Sequence, residues 1–313
     1  MRIAFVVPVF PSVTETFIIN QVADLLDRGV DVEIFAFNRG SADLVSSRFS
    51  QYNMRERTHY LEMPRTRLGR CLGAVVPAMR LSGGALVRWL RGARSGEFSW
   101  PLHALYAAAL FAGREFDLVH CHFGTAAVEY LAARTVLATR TPFVTTLYGF
   151  DVSFVFKSYP PGFYDRLKRD CPLFFVMSED MKRRVEARGF PGENVKVLPV
   201  GIDVDSYPFA AREYRAGEPV EILSVGRFVE KKGFDDLLKA LAAVRQRSTQ
   251  PFRCSIVGGG KLEDDLRALS SSLGLDDCVA FKGVMRIDEI LHLLPRTHIL
   301  AAASKTAPNG DME

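Results

Sequence analysis

Residues 225–240 read VGRFVEKKGFDDLLKA. The apolar run EILSV enters this stretch and leaves through Gly226-Arg227. Beyond Lys231-Lys232-Gly233, Phe234, Leu237, Leu238, Leu241 and Val244 recur at helical spacing. The reading is a buried strand, a short basic turn and a helix. A helix N-terminus offers unbonded backbone N–H groups and a partial positive charge, both favourable to anions. Arg227 and Lys232 therefore frame either an anion site or a solvated corner.

The same grammar runs outward in both directions. RIAFVV is a continuous apolar run, as in a parallel strand covered on both faces. Ser12-Val13-Thr14-Glu15 fits a capping box for the helix TFIINQVADLLDRG, Gly29 suits its end, and VDVEIFAF follows as a strand. DLVHCHF, GTAAVEYLAA and PFVTTLYG repeat the pattern, as do PLFFVMS, SEDMKRRVEARG and VKVLPVG. Ser178 stands at the N-cap and Gly189 at the stop of that last helix. RCSIVGG, KLEDDLRALSSSLGL, CVAFKG, IDEILHLLP and THILAAAS continue the series. Strands alternating with helices predict an α/β protein with parallel sheets wound on both sides. The polar segment 203–219 separates two halves, expected as domains of residues 1–205 and 206–313.

Composition fits this class. The 313 residues are 48% hydrophobic and 24% charged, with a net charge of +4 that by itself implies no nucleic-acid partner. The five cysteines are odd in number and none forms a CxxC, so neither a disulfide framework nor a structural zinc is expected. A reduced, cytoplasmic compartment follows. The N-terminus lacks a signal-peptide cleavage site, and no apolar run reaches spanning length. Residues 63–96 are unusual: seven arginines (65, 67, 70, 80, 88, 91, 94), no acidic residue, and interleaved leucines, Val87 and Trp89. Two readings stand: a solvated helical excursion, or a basic amphipathic surface that leans on anionic lipid.

In open α/β sheets ligands sit beyond the strands' carboxyl ends. The first such loop, PVFPSVTETF, has no GxGxxG, and the chain has no GxxxxGK[ST], which excludes dinucleotide and P-loop sites. After DLV come His120, Cys121 and His122; alternation puts both histidines on one face, with His122 nearer the mouth. No third ligand accompanies the pair, so no metal is expected. Asp151 follows the next strand, as a site carboxylate or as a turn residue accepting backbone hydrogen bonds. In the second half Gly226 and Gly233 allow close backbone approach, and Gly258-Gly259-Gly260 offers bare backbone to a bulky ligand. With Arg227 and Lys232 these suit a diphosphate, each charged hydrogen bond contributing about 1.5–3 kcal/mol.

SVGRFVEKKGFDDLLKAL, SIVGGGKLEDDLRAL and VAFKGVM, in that order, resemble the donor half of the retaining glycosyltransferases of family 4, which have the GT-B fold of two Rossmann-like domains. FPSVTETFIINQ, DLVHCHFG, TTLYGFDVS and MSEDMKRRVEARGFPGENVKVLPVGIDVDSY resemble the branch that builds bacterial exopolysaccharides such as colanic acid. The resemblance implies transfer of a sugar, with retention, from a nucleoside-diphosphate sugar to a saccharide acceptor that is lipid-linked at the inner membrane face. It implies no metal or other cofactor. Arg227 and Lys232 would bind the donor diphosphate, Gly258 to Gly260 would border the nucleotide, and Phe281 to Gly283 would lie near the base. His122 would sit at the reacting sugar, with Thr14 and Glu15 towards the acceptor. The family's HG.D becomes YGFD, so Asp151 is kept while Tyr148 replaces histidine. Glu313 matches the first glutamate of the family's E-x(7)-E, and the chain stops there. The expectation is thus an incomplete donor domain, with an inactive, nucleotide-binding fragment as the alternative.

Overall fold

The computed structural model describes residues 1–42, 45–98, 100–207, 209, 211–213, 215, 217–308 and 311. It divides into two compact units, residues 1–42 with 47–201, and residues 43–46 with 202–313.

The first unit holds a seven-stranded, all-parallel sheet. Its strands are β1 (Arg2–Phe10), β2 (Asp31–Arg39), β3 (Thr58–Tyr60), β4 (Leu118–His122), β5 (Phe143–Thr146), β6 (Phe174–Val176) and β7 (Val195–Val197), in the order β3-β2-β1-β4-β5-β6-β7. Ile3 to Val7 are buried without alternation because helices cover both faces of β1. The helix Thr16–Asp27 buries Ile18, Ile19, Val22 and Ala23, and Gly124–Leu137 buries Ala126, Ala127, Tyr130 and Leu131. The chain leaves β1 for β2 on one side and reaches β4 on the other, so the sheet's switch point lies between β1 and β4.

The capping box does not form. Glu15 is the N-cap, no side chain caps the helix, and the Glu15 N–H donates to the Ser12 carbonyl in a turn. Gly29 (φ 75°) ends the helix as expected, its N–H donating to the Leu26 carbonyl. Ser178 caps the helix Glu179–Glu186 through the Met181 N–H at 3.2 Å. The edge strand β3, only three residues long, had no sequence signal.

The second unit holds a four-stranded parallel sheet, β10 (Val279–Gly283), β9 (Phe252–Val257), β8 (Val220–Val225) and β11 (Ile299–Leu300) in that order. Helices Phe234–Arg247, Glu263–Ser272 and Ile287–Leu293 connect the strands. Phe234, Leu237, Leu238 and Leu241 form the buried stripe, but Val244 is exposed, so the stripe stops one turn earlier than its spacing suggests.

Candidate active site

In the second unit the switch point lies between β8 and β11. There β8 ends in Gly226-Arg227, a turn spans Glu230–Lys232, and Gly233 (φ 63°) is the N-cap of Phe234–Arg247. A Cβ on Gly233 would run into the Ala303 carbonyl oxygen just past β11, so only glycine lets the two loops meet. Arg227 is exposed and Lys232 half-buried. The helix's first turn also carries Asp235 and Asp236, which would oppose a bound anion. Lys305 answers them, its Nζ donating at 2.7 Å to each. Burial pushes the Asp235 carboxyl up, but the hydrogen bonds from Lys305 and Lys239 outweigh it and hold the group below its ordinary value. The aspartates are paired and Lys231 lies 3.2 Å from Asp311, while exposed Arg227 and half-buried Lys232 stand beside the helix start.

The glycines after β9 let neighbouring loops approach closely. A Cβ on Gly258 (φ 149°) would strike the Gly226 carbonyl, and one on Gly260 (φ 151°) the backbone of Phe228. The Phe228 N–H donates to the Gly259 carbonyl at 2.9 Å and the Gly258 N–H to the Gly283 carbonyl at 2.9 Å. The loops after β8, β9 and β10 are thus laced into one surface. It brings Gly226, Arg227, Gly258, Gly259, Gly260 and Gly283 together, with Phe281 edge-on to Phe228 beneath.

In the first unit His120, His122 and the β5 loop converge at the other switch point. His122 is 0% exposed. It stacks on His120 at 4.2 Å between ring centroids and lies 4.6 Å from Phe5. Its Nδ1 is 2.9 Å from the Tyr148 hydroxyl, while its Nε2 is buried with no hydrogen-bond partner. His120 Nε2 is 2.7 Å from the Thr146 hydroxyl. Burial pushes His120 down to about 4, and burial with the neighbouring His120 holds His122 well below its ordinary value, so both are neutral. Phe17 and Phe123 pack on the Tyr148 ring, at 4.8 and 4.6 Å between centroids. Phe123 holds φ 74°, a backbone cost that a non-glycine residue meets chiefly at functional sites. Thr14 is exposed and Glu15 half-buried in the loop before the helix Thr16–Asp27.

Asp151 is also 0% exposed, and it is the knot of this region. One oxygen accepts from the Gly124 N–H at 2.9 Å and the Tyr164 hydroxyl at 2.7 Å, the other from the Tyr148 N–H at 2.9 Å. A carboxylate at the start of Gly124–Leu137 is also favoured by the helix dipole. Burial nevertheless pushes Asp151 up to about 6, against the pull of those hydrogen bonds. Sequence reading placed His122 at the mouth and Asp151 among the catalytic groups. In the structure neither has surface open to a substrate, and Tyr148 with its aromatic neighbours stands outside them. Tyr164, Phe17 and Phe123 carried no signal in the sequence. Glu313 lies outside the described residues. Among those residues no cluster of three or more His, Cys, Asp or Glu could hold a metal ion.

Two units, each built on a parallel α/β sheet, are the fold class of the GT-B glycosyltransferases. The family model described as Glycosyltransferase Family 4 matches residues 14–206, and that for Glycosyl transferases group 1 matches residues 209–310. The chain belongs to glycosyltransferase family 4. It is 30% identical to the amylovoran biosynthesis glycosyltransferase AmsK of Erwinia amylovora, over its full length and 78% of that relative. It is 29% identical to the putative colanic acid biosynthesis glycosyltransferase WcaL of Escherichia coli K12, again over its full length and 78% of the relative. Among solved structures, Anabaena Alr3699/HepE in complex with UDP and glucose superposes with a TM-score of 0.64 at 17% identity, covering 99% of this chain and 76% of that one, a likeness of fold.

Proposed function

We propose that this glycosyltransferase moves a sugar from a nucleoside-diphosphate sugar to a lipid-linked saccharide in exopolysaccharide assembly, with retention and without a metal. The observation that carries it is the placement of Arg227 and Lys232 beside the start of Phe234–Arg247 at the second sheet's switch point. Backbone N–H groups, a guanidinium and an ammonium together suit a diphosphate, and they supply the charge neutralisation that a divalent cation gives elsewhere. The relatives' names, amylovoran and colanic acid biosynthesis, support the acceptor class. The HepE structure's UDP and glucose support the donor class.

In this reading the bond from the sugar's C1 to the diphosphate oxygen breaks while Arg227 and Lys232 hold the departing charge. The acceptor hydroxyl attacks from the same face, and its proton passes to the leaving diphosphate. The laced loops of Gly258 to Gly260 and Phe281 to Gly283 border the nucleotide, and Thr14 and Glu15 face the acceptor. His122 and Asp151 act as positioning residues behind Tyr148. The test is to incubate the chain with UDP- and GDP-sugars and a lipid-linked oligosaccharide, with and without a chelator. Nucleoside diphosphate release equal in both conditions, with an axial donor bond giving an axial product, is the expected result. Release abolished by the chelator, or an inverted product, contradicts the reading.

A further inference from the structure

Leu68, Leu72, Val75, Val76 and Met79 fall at i, i+4, i+7, i+8 and i+11 across two short helices, Arg67–Gly73 and Val75–Met79, joined by a single helical residue, Ala74. Such a stripe ordinarily faces a core. Here it faces solvent: Leu68 is 71% exposed, Leu72 70% and Met79 81%, while Pro77 is the residue turned inward. Arg65, Arg67 and Arg80 flank it along the chain, and Arg91 and Arg94 follow on the helix Gly83–Ser95; all five are exposed. Among the described residues no ion pair or side-chain hydrogen bond holds any of these five. No acidic residue occurs between 63 and 96.

Beside the stripe lies a cleft of about 540 Å³ along the edge strand β3, lined by Arg39, Tyr60, Glu62, Arg80 and Arg114 among others. A smaller adjoining cavity lined by Val76, Pro77 and Leu110 connects the cleft to the stripe through shared Tyr60, Glu62 and Arg80. Arg114 is committed to Glu33 at 2.7 Å. Among the described residues Arg39 makes no ion pair; it lies over the Tyr60 ring at 4.1 Å, so Arg39 and Arg80 are the cleft's open cations, with Glu62 the acidic residue among the described lining.

We propose that this face docks on a bilayer containing anionic lipid. The stripe enters the headgroup boundary, the five arginines meet the negative surface, and one lipid phosphate seats between Arg39 and Arg80. An apolar helix face with a cationic border is the chemistry of an interfacial helix. The surface of another protein would have to be as uniformly acidic as this one is basic. The site shares no residue with the donor site and stands whether or not the acceptor is lipid-linked.

The test is sedimentation of the full chain with vesicles of phosphatidylcholine alone, or of equal parts phosphatidylcholine and phosphatidylglycerol. Calorimetric titration of UDP and GDP into each variant serves as the check on fold and donor site. The chain is expected to sediment with the anionic vesicles and poorly with the neutral ones. The double variant Arg67→Glu/Arg80→Glu is expected to lose binding at least about 25-fold, at about fivefold for each arginine contact. Leu72→Asp/Met79→Asp is expected to lose it because the face that enters the headgroup boundary becomes charged. Nucleotide binding should stay unchanged in both. Arg247→Glu, a charge reversal on the other unit, should bind vesicles as the parent does. Equal binding to both vesicle types, or unaltered binding by both double variants, overturns the proposal. So does absence of vesicle binding with a concentration-dependent dimer that Leu72→Asp/Met79→Asp dissolves, which would make the stripe a contact between copies.

Discussion

The Tyr148 hydroxyl lies 2.9 Å from Nδ1 of His122, so Tyr148 is the residue that fixes this imidazole. The bond selects a tautomer in a site too dry to protonate the ring. Tyr148→Phe is expected to lower stability by about 0.5–1.5 kcal/mol. It should also turn the single-tautomer ring nitrogen shifts of His122 into a mixture, read by nitrogen NMR. Unchanged shifts would mean the bond does not set the tautomer.

Asp151 ties the start of the helix Gly124–Leu137 to Tyr164 and to the β5 loop. Asp151→Ala strands three donors in a buried place, and is expected to cost about 3 kcal/mol or more of the first unit's stability. Thermal unfolding followed by circular dichroism measures this. A shift within error would assign the knot to other contacts.

Arg88 behaves unlike its neighbours in the basic segment. Its guanidinium donates to the Val136 carbonyl at 2.8 Å and the Leu137 carbonyl at 3.3 Å, closing the C-terminus of Gly124–Leu137. Arg88→Ala is expected to destabilise by about 1–3 kcal/mol, as hydrogen bonds from a charged group do. It should leave vesicle binding as it was. A loss of vesicle binding without destabilisation would reverse that assignment.

Burial sets two opposed pH dependences. His120, held at about 4, stays neutral when folded, while the unfolded chain protonates it below about 6.5. Its contribution is therefore complete above pH 6.5 and lost as pH falls towards 4. Asp151, raised to about 6, and Glu129, raised to about 7 by burial, keep a proton when folded that the unfolded chain releases above about pH 4. Their contribution is lost as pH rises through that range. Replacing His120 with Gln should flatten the acid side of the stability profile by up to about 3 kcal/mol. Urea midpoints from pH 4.5 to 7 measure it, and parallel profiles for variant and parent would contradict it.

The βα alternation was legible because every buried parallel strand is a short apolar run and every connecting helix carries a stripe. The position of Arg227 and Lys232 beside a helix start was legible for the same reason. The capping box failed because Ser12 and Glu15 were taken up by a turn. The glycine run after β9 was legible as close approach, and its contact with the neighbouring loop is revealed only by the packing of Gly226 and Phe228. Burial of His122 depends on Phe5 and Tyr148 from two other segments, with Phe17 packed on Tyr148, which periodicity cannot bring together. In residues 63–96 the sequence showed arginines among apolar residues. It could not show that Arg88 faces inward while Leu68, Leu72 and Met79 face out.

The donor site itself is tested most directly by calorimetric titration of UDP and GDP into the chain and into Arg227→Ala. The expected result is binding of at least one nucleotide by the parent chain. Removal of the guanidinium should weaken it by about 10-fold or more, the loss of one charged hydrogen bond. Equal affinity in the two proteins would contradict the placement of the diphosphate between Arg227 and Lys232.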